Sequence, residues 1–217
     1  MRDIEQVRFN MIEQQIRPCD VLEGRVLDLL KQVRREHFVP AAQRALTFVD
    51  MEIPLGHGTK MWFPKLEARV VQELHLKHND RVLEVGTGSG YLTALLAALA
   101  YHVTTVEIVP ELSAAAQQNL QPYQYDNIEF AVGDAAQGWG EAKYDVIVLT
   151  DSTPVLPAVF QNQLNLGGRL FAIVGDAPVM HAKLITRIAA DVFTTVNIME
   201  TSSAPLQNAF QPERFVF

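Results

Sequence analysis

One cysteine in the whole chain, Cys19, excludes an internal disulfide and agrees with a reducing cytoplasm. Long apolar runs are missing too. The longest, "LTALLAALAY" (92–101), is too short to cross a bilayer. The first residues, "MRDIEQVRFNMIEQQIRP", have no apolar stretch and no small-residue cleavage site, so no signal peptide is expected. There is no low-complexity tract, repeat or long block of like charge, which argues against disorder. Positive charge is scarce: 18 Lys and Arg against 25 Asp and Glu give a net charge of -7. That balance argues against gripping nucleic acid or anionic lipid by bulk electrostatics. What remains is a soluble, cytoplasmic, globular chain of 217 residues, long enough for one domain with a substantial core.

The apolar residues that are present fall into two rhythms. Ile4, Val7, Met11, Ile12 and Ile16 recur at helical spacing up to Pro18, and Val26, Leu29, Leu30 and Val33 repeat it over about 24–36. A short helical turn is expected after Pro40. A loop, "GHGTKMWFP" (56–64), comes next, and Pro64 opens a helix through "KLEARVVQEL" with Leu66, Val70, Val71 and Leu74 inward. From Asp80 onward the rhythm alternates. "RVLEV", "HVTTVE", "NIEFAVGD", "YDVIVLT" and "GRLFAIVG" are β-rich, and helical segments separate them, including "YLTALLAALA", "PELSAAAQQNL" and "VLPAVFQNQL". This predicts an α/β fold with a doubly wound, mostly parallel sheet. After Gly175, "KLITRIAAD" and "VFTTVNIME" predict antiparallel C-terminal strands, and "AFQPERFVF" is placed as an edge. The chain reads as a single domain, 1–217, with a helical cap and acceptor loop over 1–78 and a ligand-binding α/β core over 79–217.

"VLEVGTGSGY" (82–91) runs from strand through a glycine loop into a helix. Gly86, Gly88 and Gly90 permit a sharp turn and close approach of backbone to a ligand at the helix N-terminus. A dinucleotide loop would put a third glycine at position 91, which is Tyr91 here. Glu84 inside the strand also repels phosphate and suits a ligand with a cationic end. Glu107 ends the second strand, where an acid takes two ribose hydroxyls. Asp134 follows the third. Acids at three successive strand ends converge on one crevice at the rim of a parallel sheet.

This constellation resembles the class I S-adenosylmethionine-dependent methyltransferases, with their Rossmann-like fold. The resemblance implies S-adenosyl-L-methionine as cofactor, with Glu84, Gly86, Thr87, Gly88 and Gly90 at its methionine end. It implies Glu107 with Ile108 at the ribose, and Gly133, Asp134 and Ala135 at the adenine edge. From about residue 5 to residue 217 the chain is similar to the protein-L-isoaspartate O-methyltransferases. "IPLGHGTKMWFP" ahead of the glycine loop and "PVLPAVFQNQLNLGGRL" behind it are the more specific stretches. Members of that family methylate the α-carboxylate of isoaspartyl residues in damaged proteins, which begins repair. The implied partner is thus a protein or peptide acceptor with an isoaspartyl carboxylate, met by a monomer.

Two acceptor-side segments depart from the family pattern. Trp62 stands where the family's loop keeps a serine, with Thr59 and Lys60 replacing its Gln-Thr. After the fourth strand, Thr150-Asp151-Ser152 replaces small residues. Thr59, Lys60, Trp62 and Asp151 are therefore the candidate acceptor-side residues. Two alternatives follow: a related enzyme for another acceptor, or a cofactor-binding paralogue lacking isoaspartyl activity. Methyl transfer to a carboxylate needs alignment and a dry site, not a base or a metal. For a hydroxyl or amine acceptor, Asp151 or His57 would serve as base. His75 and His78, near a helix end, read as caps or solvated residues and no metal site is expected.

Overall fold

The computed structural model describes residues 4–211. The last six residues of "AFQPERFVF" lie outside them. Helix α1 (Ile4–Met11) continues through a π-helical turn, Ile12–Ile16, and buries Met11, Ile12 and Ile16. Helix α2 spans Gly24–Gln32. It ends earlier than the apolar spacing suggests, because Val33 and Arg34 turn extended (ψ 102° at both). That turn buries Arg35, which opens a 3-10 turn, Arg35–His37; a second covers Ala41–Leu46.

The expected loop after it is a two-stranded antiparallel hairpin, β1 (Ile53–Gly56) with β2 (Thr59–Met61). His57 and Gly58 make its turn with φ of 52° and 79°. Positive φ at both central residues is what a two-residue turn matching the strand twist requires. Helix α3 (Pro64–Leu74) starts on its proline and buries Leu66, Val70, Val71 and Leu74. His75, at φ 45°, is its left-handed C-cap.

The remaining elements alternate: β3 (Arg81–Val85), α4 (Tyr91–Ala97), β4 (His102–Glu107), α5 (Pro110–Leu120), β5 (Ile128–Val132), β6 (Tyr144–Thr153), α6 (Ala158–Asn162) and β7 (Leu164–Asp176). Strands β8 (Val179–Ala189) and β9 (Val192–Thr201) close the series. The seven-stranded sheet has the order β5-β4-β3-β6-β7-β8-β9. Its first five strands are parallel, and β8 and β9 run antiparallel. The order reverses between β4 and β6, on either side of β3, so a crevice opens at the carboxyl end of β3.

Two apolar layers hold the sheet. One joins Met11, Ile16, Leu30, Trp62, Leu66 and Val70 to Val82, Val103 and Phe171, so the N-terminal segment shares its core with one sheet face. The other covers the opposite face with Leu83, Ile147, Phe160 and Leu170.

Strand β6 is irregular where it matters. Val148 pairs with Phe171 and Ser152 with Ile173, so three residues, Leu149 to Asp151, stand opposite Ala172 alone. Such a bulge re-aims side chains. Here Thr150 and Asp151 both face the crevice.

Candidate active site

A cleft of about 920 Å³ lies over the carboxyl ends of β3, β4 and β6. The sheet supplies its floor, the β1–β2 hairpin one wall, and residues 204–207 another.

The floor is the glycine loop. Gly86, Gly88 and Gly90 have φ of 98°, 53° and 83°. A Cβ on Gly86 would meet Thr150 Oγ1 at 2.1 Å, so strand and loop are in direct contact there. The Thr150 hydroxyl lies 2.8 Å from Val85 O and 2.9 Å from Gly86 O and donates to this pair of carbonyls.

Glu107 ends β4 and is buried, and both carboxylate oxygens accept backbone N–H groups. Gly88 donates to Oε2 at 2.9 Å, and Val109 to Oε1 at 3.0 Å. A carboxylate has about four acceptor positions, so two stay open towards the cleft. Asp134 accepts from Ala136 N (2.9 Å) on one oxygen and from Asn208 Nδ2 (2.8 Å) on the other. Gly133 packs beneath Trp139, where a Cβ would come within 2.8 Å of the indole. Trp139 thus closes the second core layer under the strand end rather than lining the cleft.

Glu84 lies one layer below the loop. It is fully buried and does not line the cleft. Thr93 Oγ1 (2.5 Å) and Thr105 Oγ1 (2.7 Å) donate to its Oε2. Thr105 has one hydroxyl proton, so the Thr87 hydroxyl, 2.7 Å away, donates to Thr105. Oε1 has no partner among the described residues. Burial pushes this carboxyl up to about 7, against the two threonine hydrogen bonds. Gly90 also misses the cleft. It packs on Ala116 and Leu120 as the N-cap of α4. Gly86, Thr87, Gly88, Glu107, Ile108, Gly133, Asp134 and Ala135 all line it.

The acceptor-side candidates Thr59, Lys60, Trp62 and Asp151 line the same cleft, and His57 does not. Trp62 is a core residue as well as a wall: it is buried, with its ring edge-on to Phe171 at 5.9 Å. Its Nε1 is buried and unpartnered among the described residues. Lys60 Nζ is paired with Glu52 Oε2 at 2.8 Å. Burial, with Glu107 and Glu52 adding to it, pushes the Asp151 carboxyl up to about 6; a hydrogen bond from Ser203 works the other way.

Two parts of the cleft had no signal in the sequence. Residues 203–207 form a strap along β6: Ser152 N donates to Ala204 O, and Leu206 N to Ser152 O, both at 2.8 Å. Glu67 of α3 also reaches the cleft, backed by a buried ion pair with Arg35. Charged residues inside amphipathic segments read as solvated until the fold is known.

The comparisons with known proteins speak to the family and the fold. The family model described as protein-L-isoaspartate(D-aspartate) O-methyltransferase matches residues 6–210. A protein-L-isoaspartate O-methyltransferase 2 of Marinobacter nauticus is 34% identical over 207 residues, 94% of each chain. A protein-L-isoaspartate O-methyltransferase of Methanoculleus marisnigri is 41% identical over 169 residues, 77% of each. Among solved structures, one of a Plasmodium falciparum protein of that description, in complex with S-adenosyl-L-homocysteine, superposes with a TM-score of 0.78. It covers 95% of this chain and 99% of its own at 19% identity, and so speaks for the fold.

Proposed function

We propose that this chain, which belongs to the protein-L-isoaspartate(D-aspartate) O-methyltransferase family, transfers a methyl group from S-adenosyl-L-methionine to an isoaspartyl carboxylate of a protein or peptide. The observation that carries this reading is the juxtaposition of the Gly86–Gly90 turn with Glu107, whose carboxylate accepts the Gly88 N–H and keeps free acceptor positions.

The cleft fits such a cofactor. It offers a carboxylate for a diol at Glu107, a glycine-rich turn for close approach, and, among the described lining residues, no cluster of cations that would favour a phosphate. Below the turn, the buried Glu84 carboxyl keeps one oxygen, Oε1, without a partner among the described residues. When bound, the cofactor supplies an electrophilic methyl carbon on a sulfonium. The protein's own task is alignment and dryness. Glu107 and Ile108 hold the ribose, and Gly133, Asp134 and Ala135 border the adenine. Gly86, Thr87 and Gly88 support the methionine end, with Glu84 and Gly90 setting the loop from beneath. The 203–207 strap and the Trp62 wall keep water from the acceptor oxygen, which is already a nucleophile and needs no base.

The division into a cap over 1–78 and a core over 79–217 belongs to this reading, as do a monomeric state and a cytoplasmic location. The acidic charge supports action without nucleic acid, and no described helix is long and apolar enough to cross a membrane.

Labelled S-adenosylmethionine, offered with an isoaspartyl peptide and with its aspartyl twin, tests the reading. Label on the isoaspartyl peptide alone is expected. Label on neither, with the cofactor bound, would end the isoaspartyl claim, and a Trp62→Ser variant would then ask whether the wall is the cause.

A further inference from the structure

Among the described residues, Asp151 has no counter-charge at the acceptor end of the cleft. Lys60 is the one cation among the described lining residues, and it is held by Glu52. Arg35 lies behind Glu67 and is consumed by that ion pair and by the carbonyls of Thr47 and Trp62. Lys60 of β2, paired with Glu52, and Glu67 of α3, paired with Arg35, line the same cleft, and the groups that act on Asp151 most are Glu107 at the end of β4, Glu52 ahead of β1, and Ser203 after β9. Two of the three are acids, and the third is a neutral hydroxyl. The bulge in β6 fixes Asp151 in this position, because Ser152 beside it is locked to the strap through both its backbone groups.

An isoaspartyl carboxylate entering here meets a second carboxyl group and, among the described residues, no unpaired cationic side chain. Two carboxylates in one water-poor site cannot both stay ionised, so the pair keeps one proton between them. The attacking oxygen must carry the negative charge, which leaves the proton to the other partner. We propose that Asp151 binds the acceptor in its protonated form, as a positioning residue whose O–H donates to the acceptor carboxylate. This rests on the isoaspartyl reading above. Methyl transfer then consumes no proton: the acceptor oxygen gains the methyl carbon, the C–S electron pair stays on sulfur, and Asp151 keeps its hydrogen. Its raised affinity for a proton, already present without acceptor, makes the protonated form accessible near neutral pH.

Two measurements on the full-length protein test this. The first is kcat/KM for an isoaspartyl peptide from pH 5.5 to 8.5, counting label in ester and in the methanol released from it. The wild type is expected to lose about tenfold per pH unit above the pair's apparent pKa. Asp151→Asn keeps a donor and cannot ionise, so its profile should flatten and cross that of the wild type at alkaline pH. The second is calorimetry of peptide binding to the S-adenosylhomocysteine-loaded protein at pH 7.5 in buffers of different ionisation enthalpy. Proton uptake is expected for the wild type and none for Asp151→Asn. Ester formed at a rate flat in pH, or a fall retained by Asp151→Asn, would overturn the proposal while leaving the acceptor reading intact. No ester from either protein at any pH would remove the acceptor reading itself. Label on a hydroxyl or amine, rising with pH, would make Asp151 a base and overturn the shared proton.

Discussion

Arg35 and Glu67 form an ion pair in which both side chains are almost fully buried, 1% and 3% exposed, directly behind the acceptor wall. Arg35 also donates to Thr47 O and Trp62 O, and its guanidinium lies over the Tyr91 ring at 5.2 Å. Four separate segments therefore meet on one cation: the cap, the hairpin exit, α3 and the start of α4. Burial lowers the Arg35 pKa to about 10, and it stays charged at neutral pH.

Removing one member of this pair leaves a buried charge alone. Glu67→Ala is expected to cost about 3–5 kcal/mol, the usual range for breaking a buried pair. For a chain of this size that is a fall in melting temperature of roughly 6–20 °C. The double variant Arg35→Met, Glu67→Leu should recover only part, because the carbonyls of Thr47 and Trp62 would still lack their donor. Calorimetric unfolding of the three proteins checks both statements.

Gly86→Ala should damage the cofactor floor directly. The new methyl would overlap Thr150 Oγ1, and φ of 98° disfavours any side chain. The Thr150 hydroxyl would be pushed off Val85 O and Gly86 O. Expected are a loss of about 2 kcal/mol in stability from strain and lost hydrogen bonds, and a fall in cofactor affinity. Thr150→Val, which removes the hydroxyl without the clash, should cost less on both counts. Denaturant titration and binding calorimetry separate the two variants.

The sheet was legible because its signals are local. Five short β-rich runs, broken by helical segments, specify parallel pairing without knowledge of any tertiary contact, and the two runs after Gly175 specify the antiparallel end. The strand-end acids were legible for the same reason: Glu107 directly follows one β-rich run, and Asp134 follows another after Gly133. The acceptor side was not. The β6 bulge that turns Thr150 and Asp151 into the cleft depends on how β7 and the strap pair with it. The two-residue turn at His57-Gly58 needs positive φ at a histidine, which sequence does not advertise, so a hairpin read as a loop. Trp62 could be wall or core by its composition, and the fold makes it both. Glu84 was placed against the ligand because it precedes the glycines, but strand alternation sends its side chain under the loop.

That position makes Glu84 a source of pH-dependent stability. Its folded pKa of about 7 stands above the ordinary value of 4.5. Between those values the folded state binds more protons than the unfolded one, so stability falls as pH rises through the window. Above pH 7 the full penalty of a buried charge is present. Glu84→Gln should therefore gain stability on the wild type at pH 8, little at pH 4.5, and show a shallower slope between. Asp151, pushed up to about 6, acts with the same sign at lower pH and leaves a residual slope in the variant. Denaturant midpoints at half-unit steps of pH measure this. A wild-type midpoint that climbs from pH 5 to 8 would contradict it.

Glu107 is where loop geometry and ligand recognition share one group. With both oxygens already holding the N–H groups of Gly88 and Val109, its orientation is set before any ligand arrives. A diol would then meet fixed acceptors, with little side-chain entropy to lose. Hydrogen bonds to a charged group are typically worth about 1.5–3 kcal/mol, so Glu107→Ala should weaken S-adenosylmethionine binding roughly ten- to a hundredfold. Glu107→Gln keeps one acceptor oxygen but turns an NH2 towards one of the two backbone donors. It should therefore lose affinity and loosen the Gly86–Gly90 turn, speeding amide exchange at Gly88. The alanine variant loses both anchors, and exchange should rise at Gly88 and Val109 together. Calorimetry reads the affinity and hydrogen exchange reads the turn. If Glu107→Ala bound the cofactor as tightly as the wild type, the ribose would have to lie away from the end of β4.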